Sequence, residues 1–239
     1  MKTPEQTLLP GVTLHASDDP VVLATELAEQ VAARLRQSIG ANGGALMVVS
    51  GGRTPVDFFQ VLSGLALPWE RVTILPSDER WVSADSDERN SRLIRQQLLQ
   101  GAAASARLIE LVEDTDRSPD QSAERASDRL CLLDWPADVV VLGMGEDGHT
   151  ASLFPDAPEL APALSDNAAP VLVTTPPSQP TARLTLSARA LSGAAMTVLL
   201  IQGEGKRAAL EEAVSIPLAI GPMPVRYFFQ QPLQVFWSP

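Results

Sequence analysis

The stretch Val139-Val-Val-Leu-Gly-Met-Gly-Glu-Asp-Gly-His149-Thr-Ala-Ser-Leu-Phe-Pro155 decides the fold class. Its four leading apolar residues read as a strand covered on both faces, the pattern of a parallel sheet packed between helices. Gly143 and Gly145 break the strand, and Glu146, Asp147 and His149 follow within a few positions. Open parallel sheets take their ligands beyond the carboxyl ends of their strands. A buried strand that ends in glycines and delivers a histidine beside two carboxylates is how an α/β enzyme places acid–base groups there. The chain has only one other histidine, His15, which reads as surface in a terminal segment.

Working outward, strand and helix signals alternate. A helix is expected over 18–38, with Asp18 or Asp19 as N-cap, Pro20 in the first turn and Leu23, Leu27, Val31 and Leu35 at four-residue spacing. The apolar run 45–49 is a second buried strand, followed by a glycine turn and a helix over 55–64. Further strands are read at 72–75, 108–112, 171–173, 183–186 and 196–201. Helices are read at 87–99, 118–132 and 204–214, with a short one near 191–194. Residues 155–169, rich in Pro, Ala and Asp, read as an irregular excursion over the site. Ala219, Ile220 and the tail 234–237 are expected to add edge structure. The alternation predicts a mostly parallel α/β sheet with helices on both faces. No internal repeat, linker or clean boundary divides 1–239, so one domain is expected.

Composition narrows the function. The net charge of −11, with no basic stripe, argues against nucleic acid. No apolar run approaches the roughly 18 residues that cross a bilayer. The opening residues lack a secretory apolar stretch, so a cytoplasmic setting is expected, with no membrane partner. The single cysteine, Cys131, allows neither an internal disulfide framework nor a cysteine zinc cage, and neither a metal nor an organic cofactor is expected. An acidic surface repels anionic metabolites, so a phosphorylated substrate would need cations gathered locally.

Three strand ends carry candidate chemistry. Ser50-Gly51-Gly52-Arg53-Thr54-Pro55 leads from a strand into a helix, where close-approaching backbone N–H groups and the helix N-terminus favour an anion. It is neither a Walker A nor a dinucleotide fingerprint, and an ordinary tight turn is the alternative. Ser77-Asp78-Glu79-Arg80-Trp81 sets three charges past a strand end, either as a solvated loop with a local ion pair or in a catalytic role. In the third, His149 can take a proton near neutral pH and a nearby carboxylate can fix its tautomer. Arg183 opens an alternating strand. Lys206 lies near a helix N-terminus, which a lysine disfavours unless an anion sits between; otherwise it is a solvated lysine.

Together these residues resemble the 6-phosphogluconolactonase family. The resemblance is carried by Ser-Gly-Gly-x-Thr-Pro, Asp-Glu-Arg-Trp-Val, Asn90 with Leu93 and Leu98-Leu99, and the box 142–155. Arg-Leu-Thr-Leu and a late Gly-x-x-Lys complete it, in the family's order from residue 50 to about 206. The similar glucosamine-6-phosphate deaminases carry a glutamate five residues after the motif histidine, where this chain has Phe154, and Asp-Glu-Tyr where it has Asp-Glu-Arg. Arg53 departs from the serine usual in the lactonases.

The resemblance implies a Rossmann-like doubly wound sheet with a small accessory layer. It also implies hydrolysis of 6-phospho-D-glucono-1,5-lactone to 6-phosphogluconate, in the pentose phosphate pathway. Gly51, Gly52 and Thr54, with Ser50 and Arg53 beside them and with Arg183 and Lys206, would hold the phosphate. His149 would be the general base, Asp147 its orienter, and Asp78 and Arg80 would line the sugar end. The expected partner is the small sugar-phosphate lactone, and a monomer is the default. Three alternatives remain open at this level: a Ser152 nucleophile (no Gly-x-Ser-x-Gly elbow is present), a deaminase or sugar-phosphate isomerase, and a non-catalytic sugar-phosphate sensor.

Overall fold

The computed structural model describes residues 3–113, 115 and 118–239. The chain opens with an antiparallel hairpin, β1 (Glu5–Leu9) and β2 (Val12–Ala16). It continues through α1 (Pro20–Asn42), β3 (Ala45–Val49), α2 (Val56–Ser63), β4 (Val72–Pro76), β5 (Asp78–Arg80), α3 (Asn90–Gln97) and β6 (Arg107–Leu108). Then come α4 (Pro119–Leu130), β7 (Val139–Leu142), α5 (Leu160–Ala163), β8 (Val171–Thr174), β9 (Arg183–Leu186), β10 (Met196–Gln202), α6 (Glu204–Ser215) and β11 (Leu233–Ser238).

Eight strands form the main sheet in the order β1-β2-β11-β10-β7-β3-β4-β6, parallel except for β1. The sheet is doubly wound. From β3 the chain moves outward through β4 to β6, then returns to β7 on the other flank of β3 and continues to β10 and β11. The carboxyl ends of β3 and β7 therefore flank the point where the winding reverses, which is where such sheets open a crevice.

Alternation along the buried strands separates two cores. Leu46, Val48, Val140 and Leu142 pack with α4 and α6, whereas Met47, Val49, Val139 and Val141 pack with α1, α2 and α3. A period of two that is apolar on both faces is what a sheet covered on both sides demands. Asp19 caps α1 by accepting from the Val21 N–H at 2.9 Å, Pro20 opens it, and Gly43 at φ 79° ends it.

A second, antiparallel sheet has the order β5-β9-β8. Its strand β5 corrects the loop reading of 78–80: Asp78 pairs with Thr185, Glu79 with Leu184 and Arg80 with Arg183. Other expectations shift as well. The strand over 108–112 reduces to Arg107–Leu108, and 191–194 and 219–220 are turns. The helix over 87–99 spans only 90–97, because the carboxylate of Glu79 reaches across to accept the Asn90 and Ser91 N–H groups at 2.8 Å each. The tail is not edge structure, since β11 lies inside the sheet between β2 and β10. His15 is not surface: it is 4% exposed and stacks on Phe236 with ring centroids 4.5 Å apart. No helix among the described residues is long and apolar enough to cross a membrane.

Candidate active site

The turn after β3 and the box after β7 meet at one cavity of about 220 Å³. Ser50, Gly51, Gly52 and Thr54 line it from the β3 side. Gly143, Gly145 and His149 line it from the β7 side, and Asp78, Arg80 and Arg183 from the second sheet. Lys206 in the first turn of α6 closes it, over an apolar floor of Met144, Leu200 and Ile201. Strand register delivers these ends together: the Ser50 N–H donates to the Val141 carbonyl, and the Ser77 N–H to the Val49 carbonyl.

His149 is held at two points by one carboxylate. Its Nδ1 lies 2.6 Å from Asp147 Oδ1, which also accepts the His149 backbone N–H at 3.1 Å. A carboxylate there places the ring proton on Nδ1 and leaves Nε2 as the basic nitrogen. Burial pushes the Asp147 carboxyl upward, but the hydrogen bond and charge of His149 outweigh it, so Asp147 titrates below its ordinary value. Gly145 is required at its position: a Cβ there would overlap His149 Nδ1 and Asp147 Oδ1. Ala151, φ 49°, is the only non-glycine with positive φ among the described residues and lines the same cavity. Strained backbone of this kind collects at functional sites.

Asp78 is 6% exposed. Its Oδ2 accepts Ser152 Oγ at 2.6 Å, its Oδ1 accepts Ser77 Oγ at 3.1 Å, and Arg183 Nη1 lies 3.9 Å from Oδ2. Asn90 bridges the next layer. Its Nδ2 donates to the Asp78 carbonyl at 2.8 Å, and its Oδ1 accepts Arg80 Nη1 at 2.6 Å. Gly51 gives Asn90 room, since a Cβ on Gly51 would overlap the Asn90 amide. Burial pushes the fully buried Glu79 above the ordinary carboxylate range, while the Ser91 and Asn90 N–H groups pull the other way. Burial lowers Arg183 from its usual value, Asp78 opposes this and Arg80 adds to it.

The pairing of β5 with β9 puts Arg80 directly opposite Arg183. Like charges facing each other across strands are unfavourable. In a protein of net charge −11, two arginines and Lys206 around one cavity create a local site for an anion.

The sequence-derived site residues thus converge, with distinctions. Asp147 stands behind His149 rather than on the cavity wall. Arg53 is exposed and does not line the cavity. Ser152, the alternative nucleophile, is fully buried, is absent from the cavity wall and is engaged with Asp78. Sequence reasoning assigned no role to Asn90 or Gln179, which organise Arg80 and Arg183 (Arg183 Nη2 donates to Gln179 at 2.8 Å). Asn90 carried a signal as part of a quoted motif; Gln179 carried none, because its role depends on a loop folding back onto β9. Among the described residues, no group of three or more His, Cys, Asp or Glu side chains is set to hold a metal ion.

Known proteins are similar to this chain over most of its length. The family profile described as "Glucosamine-6-phosphate isomerases/6-phosphogluconolactonase" matches residues 18–237. The chain belongs to this family. Among its relatives is a 6-phosphogluconolactonase of Pseudomonas aeruginosa, 42% identical over 240 residues and covering all of both chains. One of Pseudomonas putida is 41% identical over 98% of this chain and 96% of its own. The crystal structure of a 6-phosphogluconolactonase from Shewanella baltica superposes with a TM-score of 0.91 at 38% identity, covering 95% of this chain and 97% of that one. A monomeric glucosamine-6-phosphate deaminase shares the fold at 17% identity, with a TM-score of 0.77 over 94% and 96% of the two chains.

Proposed function

We propose that this chain hydrolyses 6-phospho-D-glucono-1,5-lactone to 6-phospho-D-gluconate in the pentose phosphate pathway, as one domain over 1–239, monomeric and cytoplasmic. The observation that carries the reading is the Asp147–His149 pair at 2.6 Å facing a cavity whose other walls hold Arg80, Arg183 and Lys206. Full-length relatives that bear this activity in their names support it.

In this mechanism the substrate's phosphate binds at Arg183, Lys206 and the glycine turn, so binding energy remote from C1 positions the ester. His149 Nε2 takes a proton from water, and the hydroxide oxygen attacks C1. Negative charge gathers on the carbonyl oxygen, and we assign Arg80, steadied by Asn90, to meet it. The tetrahedral intermediate collapses, the bond from C1 to the ring oxygen breaks, and the imidazolium returns its proton to that oxygen. Asp147 stays ionised throughout and favours the imidazolium. No step draws on a metal or organic cofactor.

The test generates the lactone freshly with glucose-6-phosphate dehydrogenase and couples its product to 6-phosphogluconate dehydrogenase, following NADPH above spontaneous hydrolysis. Ammonia release from glucosamine 6-phosphate is run alongside. Accelerated lactone hydrolysis without ammonia is the expected result. Ammonia without hydrolysis would replace this reading with the deaminase, and silence in both assays would leave a sugar-phosphate binder.

A further inference from the structure

Phe154 is 1% exposed, and its ring touches two groups of the candidate site. The His149 imidazole stacks on it, with centroids 4.1 Å apart and planes inclined by 26°. The Arg183 guanidinium carbon lies 5.3 Å from the same ring centroid. The hydrogen bond to Asp147 locates Nδ1 but leaves the imidazole free to swing about the line joining the two atoms. A flat ring against its face removes that freedom. Arg183 is similarly underdetermined by polar contacts. Nη2 meets Gln179, Nη1 is 3.9 Å from Asp78, and Nε is buried without a protein partner. A guanidinium is attracted to an aromatic face, and so is an imidazolium. An aliphatic side chain could fill the same volume but offers neither a flat surface nor a π-face.

We propose that Phe154 is a positioning residue which holds the His149 imidazole and the Arg183 guanidinium at one fixed separation and tilt. It thereby selects the separation of scissile carbonyl and phosphate that a substrate needs to meet both groups at once. The proposal rests on the lactonase reading and deepens it: an uncharged side chain that itself takes no part in proton transfer or phosphate binding governs selection for lactones bearing an anion at one distance. Removing the ring uncouples the two ends. Turnover and discrimination between phosphorylated and plain lactone then fall together.

The experiment compares wild type, F154L and F154Y on 6-phosphogluconolactone and on unphosphorylated δ-gluconolactone, with thermal unfolding of each protein. The expected result is a folded F154L whose kcat/KM for the phosphorylated lactone falls about 10–100-fold, the scale of a misplaced reacting group. The plain lactone should lose much less, and F154Y, which keeps a flat ring, should retain more of the discrimination than F154L. The double variant F154L/R183A should discriminate no worse than R183A, because both changes remove one coupled function. Equal losses on the two lactones, or additive losses in the double variant, would overturn the proposal. If F154L fails to fold, F154M carries the same comparison. A substrate-independent readout uses the two histidine ring signals in NMR. Inorganic phosphate should shift the His149 signal in wild type and not in F154L, and an equal shift in both would also overturn the proposal. An inactive wild type with this NMR difference intact would remove the lactonase reading alone.

Discussion

His149 has its Nδ1 committed to Asp147 and its face committed to Phe154, so only Nε2 is free for chemistry. H149A is expected to lower kcat by about 10²–10⁴ with little change in substrate affinity, the loss typical of a general base; near-wild-type turnover would remove His149 from the mechanism. R183A is expected to act differently, shrinking the preference for phosphorylated over plain lactone more than it slows the plain one. An unchanged preference would place the phosphate elsewhere. Asp147 titrates below its unfolded value of about 3.9. Its pairing with His149 therefore stabilises the folded state fully above about pH 4 and ceases to do so as pH falls through the lower, folded value. Denaturant midpoints of wild type and D147N should differ above pH 5 and converge toward pH 2, and a constant difference would show that the ionised pair contributes nothing. At this scale much was legible from sequence. The glycine-bracketed box set Asp147 beside His149, because residues two apart in a turn are close by covalent geometry alone. The exposure of Arg53 was not legible, since the direction of a turn side chain depends on what packs around the turn.

The short strand β5 shows how one element serves both stability and site. Alternate residues point to opposite faces: Asp78 and Arg80 turn to the cavity, while Glu79 turns inward and caps α3 through the Asn90 and Ser91 N–H groups. It also accepts the Arg80 N–H at 2.9 Å. E79A leaves these donors without their acceptor, at a cost of about 1–3 kcal/mol for each that stays buried. We expect a lowered Tm and, because Asn90 steadies Arg80, a reduced kcat in the protein that still folds; an unchanged Tm would mean that water replaces the cap. Arg226, 3% exposed, closes the end of α6, donating to the carbonyls of Ala213, Glu212 and Ala219 at 3.0, 2.9 and 2.8 Å. Elements with a long apolar period were readable in advance. The second sheet was only partly so, because three residues carrying charge at both ends and in the middle have no strand signature until β9 pairs with them.

Across the whole molecule, the placement of β11 has the largest consequence. Leu233, Val235 and Phe236 are buried inside the parallel sheet, and burying such side chains contributes about 1.5–3 kcal/mol each. That is comparable to the entire net stability of a domain, about 5–15 kcal/mol. Deleting 232–239 should therefore abolish cooperative unfolding and soluble yield, whereas a folded, active truncation would show that β2 and β10 can close on each other. The sequence by itself determined the class of sheet, its alternation with helices, and the residue order of the glycine turn and of the box that sets Asp147 beside His149. These follow from local periodicity and from groups a few bonds apart. Tertiary structure alone decided that the tail is an interior strand and that His15 is buried. It also decided that Arg80 faces Arg183 and that Phe154 lies against both His149 and Arg183. Each of those facts depends on which distant segments pair, and pairing is settled by how the two cores close around the sheet rather than by any pattern within a single segment.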